Sequence, residues 1–130
     1  MQIHQSAEDY LETILMLSQR MGKVRSIDVV NELGFTKASV SIAMKKLREN
    51  GYIAVDGEGN LTLLEPGLEI AQRIYSRHQL LTHFFVQLGV DEQTAAEDAC
   101  KAEHILSEET LAKIREQALL HDAEESAKNG

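Results

Sequence analysis

Residues 26–51 read SIDVVNELGFTKASVSIAMKKLRENG, and their pattern decides the fold of the first half of the chain. Residues that cap helices stand at the ends of two short helical stretches, in the order Ser26, Gly34, Thr36 and Gly51. Apolar residues recur at helical spacing and are expected to face inward, at Ile27, Val30, Leu33, Val40, Met44 and Leu47. Two helices joined by a tight Gly-containing turn predict a helix-turn-helix. The alternative is a helical hairpin inside an all-helical core.

The segments on either side extend this motif. Two β-prone runs follow, 52–55 and 61–64, and the Gly-rich segment 56–60 between them predicts a hairpin. Before the motif, apolar residues at helical spacing predict a first helix that is capped by Ser6 and ends near Gly22. Helices in this order followed by a two-stranded hairpin predict a winged helix-turn-helix.

Positive charge is concentrated in this motif. Residues 20–50 contain 7 basic and 3 acidic residues, although the whole chain has a net charge of −8. The second helix of such a motif lies in the DNA major groove, with its N-terminal end toward the base edges. The candidate DNA contacts are Thr36, Ser39 and Ser41 for base edges or phosphates, Ile42 for a thymine methyl, and Arg25, Lys37, Lys45 and Lys46 for phosphates. The wing tip has no Lys or Arg and carries Glu58, so we expect only weak wing contacts, through backbone N–H groups or Asn60.

The second half of the chain is predicted to be helical. Pro66 suits the first position of a long helix that ends near Leu88. Asp91 is a suitable N-cap for the next helix, which is expected to run through Glu103 and His104.

A last helix follows, and it begins at Ser107. Its inward residues are expected to be Leu111, Ile114, Ala118 and Leu119. From His121 onward the residues are small and polar, and this end is expected to fray. We therefore predict a mostly α protein with two domains, a winged helix-turn-helix over 1–65 and a helical domain over 66–130.

Candidate metal ligands are grouped in the run from Cys100 to His104. A thiol, the Glu103 carboxylate and an imidazole at relative positions 0, 3 and 4 share one face of a helix. Ligands of these three types within one turn are typical of a metal site. The alternative is an ordinary amphipathic helix with a buried Cys100 and two solvated polar residues. Asp9 and Glu12 also share a face of the first helix, where a solvated surface is the alternative.

Several classes of protein are disfavoured by composition. One cysteine makes no internal disulfide, and the N-terminus lacks the pattern of a signal peptide. No apolar run approaches the roughly 20 residues of a membrane span. These features predict a cytoplasmic protein. No nucleophile motif or Gly-rich phosphate loop is present, so we do not expect an enzyme.

Four stretches together resemble the diphtheria toxin repressor family of metal-dependent repressors, which includes iron-dependent regulators and the manganese transport regulator. They are EDYLETI at 8–14, SVS at 39–41, RHQLL at 77–81 and DACKAEH at 98–104. The resemblance covers nearly the whole chain. It implies a homodimer formed by the C-terminal helices, Fe²⁺ or Mn²⁺ as co-repressor, other divalent transition metals as in vitro substitutes, and a palindromic operator. The chain is expected to be a short form without the SH3-like domain of larger members.

The resemblance also implies a ligand set, namely Asp9, Glu12, His78, Cys100, Glu103 and His104. Asp9 and Glu12 match manganese-type members, whereas Cys100 stands where that type has a carboxylate and the iron type has cysteine. Thr82 and Ala96 stand at two positions that serve the ancillary site of iron-type members, so we do not expect that site here. The thiol favours Fe²⁺, with Mn²⁺ close behind.

The expected mechanism joins the two domains through the cation. Ligands from both would fix the angle between the DNA-binding and dimer-forming parts, and so the spacing of the two recognition helices. The expected function is metal-controlled repression of genes for metal uptake and homeostasis. The alternatives are a winged-helix regulator controlled by a small organic ligand, a metallohydrolase and a metal buffer.

Overall fold

The structure, a computed structural model, describes residues 5–129 and contains six helices and three strands in that range. The elements in chain order are α1 Gln5–Met21, β1 Val24–Arg25, α2 Ser26–Leu33, α3 Lys37–Glu49, β2 Ile53–Val55, β3 Asn60–Leu63, α4 Glu65–Gln87, α5 Glu92–Ala102 and α6 Glu108–Asn129. The predicted fold class, a winged helix-turn-helix followed by helices, is confirmed. Across residues 5–129, no helix has the length and apolar content needed to cross a membrane.

The chain divides into two compact units, one up to Arg73 and the other from Ile74 onward. Helix α4 contributes its first nine residues to the first unit and the remainder to the second. The predicted domain boundary lay at residue 65, at the first residue of this helix.

Both helices of the helix-turn-helix in the first unit have capping hydrogen bonds at their N-terminal ends. The Thr36 side-chain oxygen accepts a hydrogen bond from the Ser39 backbone N–H at 3.1 Å, which confirms the predicted N-cap of α3. The prediction for α2 was wrong by one residue. Ser26 is already helical, and the N-cap is Arg25, whose backbone N–H donates to Asp28 Oδ2 at 2.9 Å. The carboxylate three residues into the helix replaces the hydroxyl cap.

Two other predictions in this unit were wrong. Ser6 is not an N-cap, because α1 already includes Gln5. Ile27 does not face inward, since it is 43% exposed, whereas Val29 is fully buried. At about 100° per residue these two side chains point to opposite faces, and an eight-residue helix can bury only one of them.

The sheet has an extra strand that the sequence did not predict. Its order is β1-β3-β2, all antiparallel, with Val24 opposite Leu61 and Arg25 opposite Asn60. The predicted hairpin is present as β2 and β3, with Ile53 opposite Leu63. A two-residue strand such as β1 shows no alternation that periodicity could detect.

The first unit has a core of aliphatic side chains from all its elements. Its fully or almost fully buried members include Leu11, Ile14, Leu17, Val24, Val29, Val40, Leu47, Ile53 and Ala71. Gly67 in α4 lies against the wing, where a Cβ would be 2.2 Å from the Tyr52 carbonyl oxygen. The start of α4 can therefore approach this backbone only without a side chain at position 67.

The second unit is organised around Leu81, Ala99 and Leu111, against which α4, α5 and α6 pack. The Ser107 hydroxyl accepts from the Thr110 N–H at 3.1 Å, so it caps α6 as predicted. Leu119 was expected to face inward but is 62% exposed. Helix α6 continues to Asn129, so the predicted fraying from His121 was wrong. Residues 122–129 contain no apolar side chain larger than alanine, so they carry no apolar stripe for periodicity to detect.

The end of α5 differs from the prediction in a way that matters for the site. The helix stops at Ala102, and Glu103 and His104 lie in the turn that follows. Glu103 still has helical backbone angles and its N–H bonds the Ala99 carbonyl at 2.9 Å. The Ile105 N–H then bonds Ala102 instead, which tightens the chain into a turn.

Candidate metal centre and nucleic-acid interface

Glu103 is the best-defined feature of the candidate metal centre. Its side chain is completely buried at the C-terminal end of α5. His78 Nδ1, from α4, lies 2.9 Å from Glu103 Oε2, and His104 Nε2 lies 3.4 Å from Glu103 Oε1. Three of the predicted ligands are therefore brought together around one carboxylate within the second unit.

The surroundings of Glu103 fit a divalent cation. Glu103 Oε1 accepts no hydrogen bond from the described part of the chain, because His104 approaches it without the necessary alignment. A buried carboxylate is costly unless a positive charge or hydrogen bonds compensate it. One carboxylate and two imidazoles form a donor set that first-row divalent metals accept. The chemistry of these residues thus suits the cofactor that the sequence implied.

The alternative reading of the Cys100 run is wrong. That reading required a buried thiol beside a solvated carboxylate and a solvated imidazole. The structure has the opposite arrangement, with Cys100 exposed, Glu103 buried and the His104 side chain only 1% exposed. The single helical face that the sequence predicted is interrupted, because α5 ends between the thiol and the imidazole.

The other two candidate ligands lie on α1 in the first unit. Glu12 is 5% exposed and Asp9 is half-buried, so they do not form the solvated face that was the alternative. Their neighbour Glu8 pairs with Arg73 at 3.2 Å. The pKa of Tyr10 is raised, first by burial and then by the negative charge of Asp9. Two acidic side chains are thus held in a partly desolvated part of this helix.

The predicted DNA contacts form one exposed surface of the first unit. All eight are exposed, namely Arg25, Thr36, Lys37, Ser39, Ser41, Ile42, Lys45 and Lys46. Their inward counterparts Val40, Met44 and Leu47 are buried, as predicted. Ile42 is 59% exposed and is therefore accessible for the predicted apolar contact.

A groove of about 260 Å³ lies beside this surface. It is lined by Ser26, Ser41, Met44, Lys45, Arg48 and Val55, from α2, α3 and β2. Ser26 and Arg48 were not among the predicted DNA contacts. Nothing in the sequence placed the start of α2, where Ser26 lies, beside α3 and the wing.

The wing acquires a cation from outside its own loop. A Cβ on Gly59 would lie 3.3 Å from both Nε and Nη2 of Arg25, so the guanidinium lies directly against the wing turn. Strand β1 brings it there by pairing Arg25 with Asn60. The loop sequence lacks Lys and Arg, as noted, but the three-stranded sheet supplies the missing charge.

The turn of the wing is held by Asp56. One oxygen of this carboxylate accepts the backbone N–H groups of Glu58 and Asn60, both at 2.9 Å, and the other accepts the Asn60 side-chain amide at 3.0 Å. These bonds, Asn60 first, lower the pKa of Asp56. The Asn60 amide proposed as a DNA contact is therefore already hydrogen-bonded within the turn.

Two family models match consecutive parts of the chain. The N-terminal DNA binding domain of iron dependent repressors matches residues 2–61, and their metal binding and dimerisation domain matches residues 64–124. The chain belongs to the iron-dependent repressor family. This confirms the resemblance drawn from the four sequence stretches. The family members are metal-dependent transcriptional regulators with a DNA-binding and a dimerisation domain, and the chain has both parts.

Individual relatives agree with this assignment. An HTH-type transcriptional regulator of Methanocaldococcus jannaschii is 37% identical over 113 residues, which cover 85% of this chain and 90% of the relative. The transcriptional regulator MntR of Bacillus subtilis is 34% identical over 109 residues, which cover 84% of this chain and 77% of MntR.

Solved structures show the same architecture. A manganese-dependent transcriptional repressor in complex with manganese superposes with a TM-score of 0.78 and is 29% identical, over 86% of this chain and 52% of the repressor chain. IdeR of T. acidophilum gives the same TM-score at 22% identity, over 90% of this chain and 55% of IdeR, and supports the fold alone. The chain spans about half the length of these structures.

Proposed function

We propose that the protein is a transcriptional repressor that binds a palindromic operator as a homodimer when it is loaded with Fe²⁺ or Mn²⁺, and that it controls metal uptake and homeostasis. The observation that carries this proposal is the buried Glu103 carboxylate between the imidazoles of His78 and His104, in a chain that also presents a cationic recognition helix. Such a regulator acts in the cytoplasm, where the chromosome lies, and needs no catalytic activity.

We propose that six residues hold the cation. Asp9 and Glu12 would bind it from the DNA-binding domain, residues 1–65, and His78, Cys100, Glu103 and His104 from the metal-binding and dimerisation domain, residues 66–130. A divalent cation would supply positive charge to a group of carboxylates that otherwise repel one another. Ligands on both domains restrict the angle between them. This restriction favours one spacing of the recognition helices, which must fit half-sites about 34–36 Å apart.

On the DNA side, the candidate contacts of α3, its N-cap and β1 divide into two roles. Thr36, Ser39, Ser41 and Ile42, near its start, would reach base edges, and Lys37, Lys45, Lys46 and Arg25 would bind phosphates. The burial of Val40, Met44 and Leu47 on the opposite face of α3 supports this proposal, because it leaves the face with these polar and basic residues exposed to a partner.

The test selects operator DNA from random-sequence duplexes with protein loaded anaerobically with Fe²⁺ or with Mn²⁺. Binding to the selected duplex is then measured by fluorescence anisotropy, with and without a chelator. We expect the chelator to abolish specific binding and the added metal to restore it. DNA binding that is insensitive to the chelator would instead support a regulator controlled by a small organic ligand.

The choice between Fe²⁺ and Mn²⁺ is proposed to depend on Cys100. A thiolate is a softer ligand than a carboxylate, and it favours the later of the two ions in the Irving–Williams order, which is Fe²⁺. Cys100→Glu is expected to shift the preference toward Mn²⁺ when operator binding is measured at matched free metal. Activation of the wild type by Mn²⁺ alone would contradict the preference for iron.

A further inference from the structure

Glu103 is held at two points by consecutive residues of α4. His78 Nδ1 contacts its carboxylate at 2.9 Å, and Arg77 Nη1 donates to its backbone carbonyl at 3.1 Å. The same helix turn therefore fixes both the functional group and the backbone of this residue. The His78 contact belongs to the candidate metal centre, whereas the Arg77 contact is made to a backbone carbonyl and not to a candidate ligand atom.

Arg77 also reaches the start of the next helix. Its Nη2 forms an ion pair with Glu108, in the first turn of α6. The Arg77 side chain is 11% exposed and the Glu108 side chain is 79% exposed. The guanidinium thus spans the turn 103–107, with one nitrogen at its first residue and the other just beyond its last.

The hydrogen bond from Arg77 to the Glu103 carbonyl satisfies an acceptor at the end of a helix. The last carbonyls of a helix have no partner within it, and cations near that end are favourable. Here the cation comes from a different helix and lies almost entirely inside the protein. It fixes the point at which α5 changes into the turn that carries His104.

We propose that Arg77 is a positioning residue of the metal centre, which sets the backbone of Glu103 so that the Glu103 carboxylate and the His104 imidazole present their donor atoms together. The inference rests on the proposed function, because it assumes that these residues bind the cation. Groups that orient metal ligands are as much a part of such sites as the ligands themselves.

The guanidinium is suited to this role in a way that lysine is not. Its planar fork offers separate N–H groups to the carbonyl and to Glu108, at fixed angles. A lysine ammonium has its three donors on one nitrogen at the end of a flexible stem, so it cannot hold both partners at fixed angles. The competing explanation is that Arg77 is merely a structural link to α6, made through its ion pair with Glu108.

The experiment compares four proteins with the wild type: Arg77→Met, Arg77→Lys, Glu108→Gln and Lys113→Met. Lys113 is the matched control, since it forms an exposed ion pair with Glu116 in the same unit. Mn²⁺ affinity is measured by calorimetry, the absorption spectrum is recorded with Co²⁺ as a probe of ligand geometry, and the metal-free proteins are melted thermally.

We expect Arg77→Met to raise the Kd for Mn²⁺ about tenfold or more, and to change the Co²⁺ spectrum. Arg77→Lys should restore the melting temperature more fully than the affinity. Glu108→Gln and Lys113→Met should leave the affinity within about threefold of the wild type and the spectrum unchanged. If Arg77→Met does not fold, the spectrum and affinity of Arg77→Lys decide the question.

Two results would overturn the inference. One is a wild-type affinity and spectrum in Arg77→Met or, if that variant does not fold, in Arg77→Lys. The other is an equal loss in Arg77→Met and Glu108→Gln, which would make the Glu108 ion pair the only function of Arg77. Failure of the wild type itself to bind Mn²⁺ or Co²⁺ would instead refute the proposed function.

Discussion

The exposed face of α3 and the surroundings of Glu103 place charge in opposite ways. On α3, cations such as Lys37, Lys45 and Lys46 are exposed on the outer face of a regular helix. At Glu103, a carboxylate is withdrawn completely from water just after a helix has ended. An exposed cation can be removed with little effect on the fold, whereas a buried carboxylate requires partners at every atom.

The largest effect is expected from neutralising the buried carboxylate of Glu103. Glu103→Gln keeps the shape of the side chain but removes the charge between the two imidazoles. We expect the Kd for Mn²⁺ to rise by at least about 100-fold, since even a group that only orients a ligand is worth about 10- to 100-fold. Calorimetric titration measures it. Glu97→Gln, an exposed change in α5, is the control and should retain wild-type affinity.

Metal binding by Glu103→Gln at wild-type strength would show that this carboxylate is not a ligand. The affinity would then be attributed to the other candidate ligands, and the charge at Glu103 would have only a structural role. Because glutamine still accepts hydrogen bonds, we expect the metal-free variant to remain folded.

The contrast between the two regions also explains what the sequence could predict. The face of α3 follows from periodicity, because Val40, Met44 and Leu47 bury one side and leave the predicted contacts of this helix on the other. The candidate ligands around Glu103 were identified by residue type and resemblance. Their burial was not, because it depends on where α5 ends, and helix boundaries are the least reliable part of a sequence-based prediction.

The pairing of strand β1 is a second feature that the sequence could not predict. Two residues carry no detectable period, so the position of Arg25 against Gly59 could not be read from the sequence. Arg25 was expected to contact phosphate on account of its charge alone. The sheet register, which pairs Arg25 with Asn60, places its guanidinium against the wing turn.

The second largest effect should therefore come from Arg25. We expect Arg25→Ala to weaken operator binding about fivefold, corresponding to roughly 1 kcal/mol, because it removes a guanidinium that lies against the wing turn. Gly59→Ala should cause part of this loss without any change in charge, since the new Cβ would displace the guanidinium and φ at Gly59 is +86°. Anisotropy titration at fixed salt measures both. A wild-type affinity in both variants would remove the wing edge from the interface.

A smaller effect is expected at Lys37, on the other side of the same surface. Lys37→Ala should reduce the slope of log affinity against log salt by about one, because one phosphate contact is lost. The affinity should fall uniformly for all duplex sequences, since a phosphate contact carries no sequence information. The measurement is a set of titrations at four salt concentrations. Lys113→Met in α6 provides the control, and an unchanged slope in Lys37→Ala would place Lys37 outside the interface.

The smallest effect is a change of the wing with pH. The pKa of Asp56 in the folded protein lies below its ordinary value of 3.8, because its carboxylate accepts hydrogen bonds from Asn60 and Glu58. Because the folded pKa of Asp56 is lowered, the stability that these hydrogen bonds contribute is fully present above about pH 4–5. It is lost as the pH falls through the folded pKa. At neutral pH the turn should therefore be insensitive to pH, and below pH 4 it should loosen.

Amide chemical shifts of Glu58 and Asn60 between pH 7 and pH 2.5 would follow the turn directly. Asp56→Asn removes the titrating group but keeps an oxygen that can accept the two backbone N–H groups. In this variant the acid-dependent change in both amides should disappear. If both amide shifts titrate equally in the wild type and in Asp56→Asn, a group other than Asp56 controls the wing turn. The position of the Arg25 guanidinium against that turn would then not depend on the charge of Asp56.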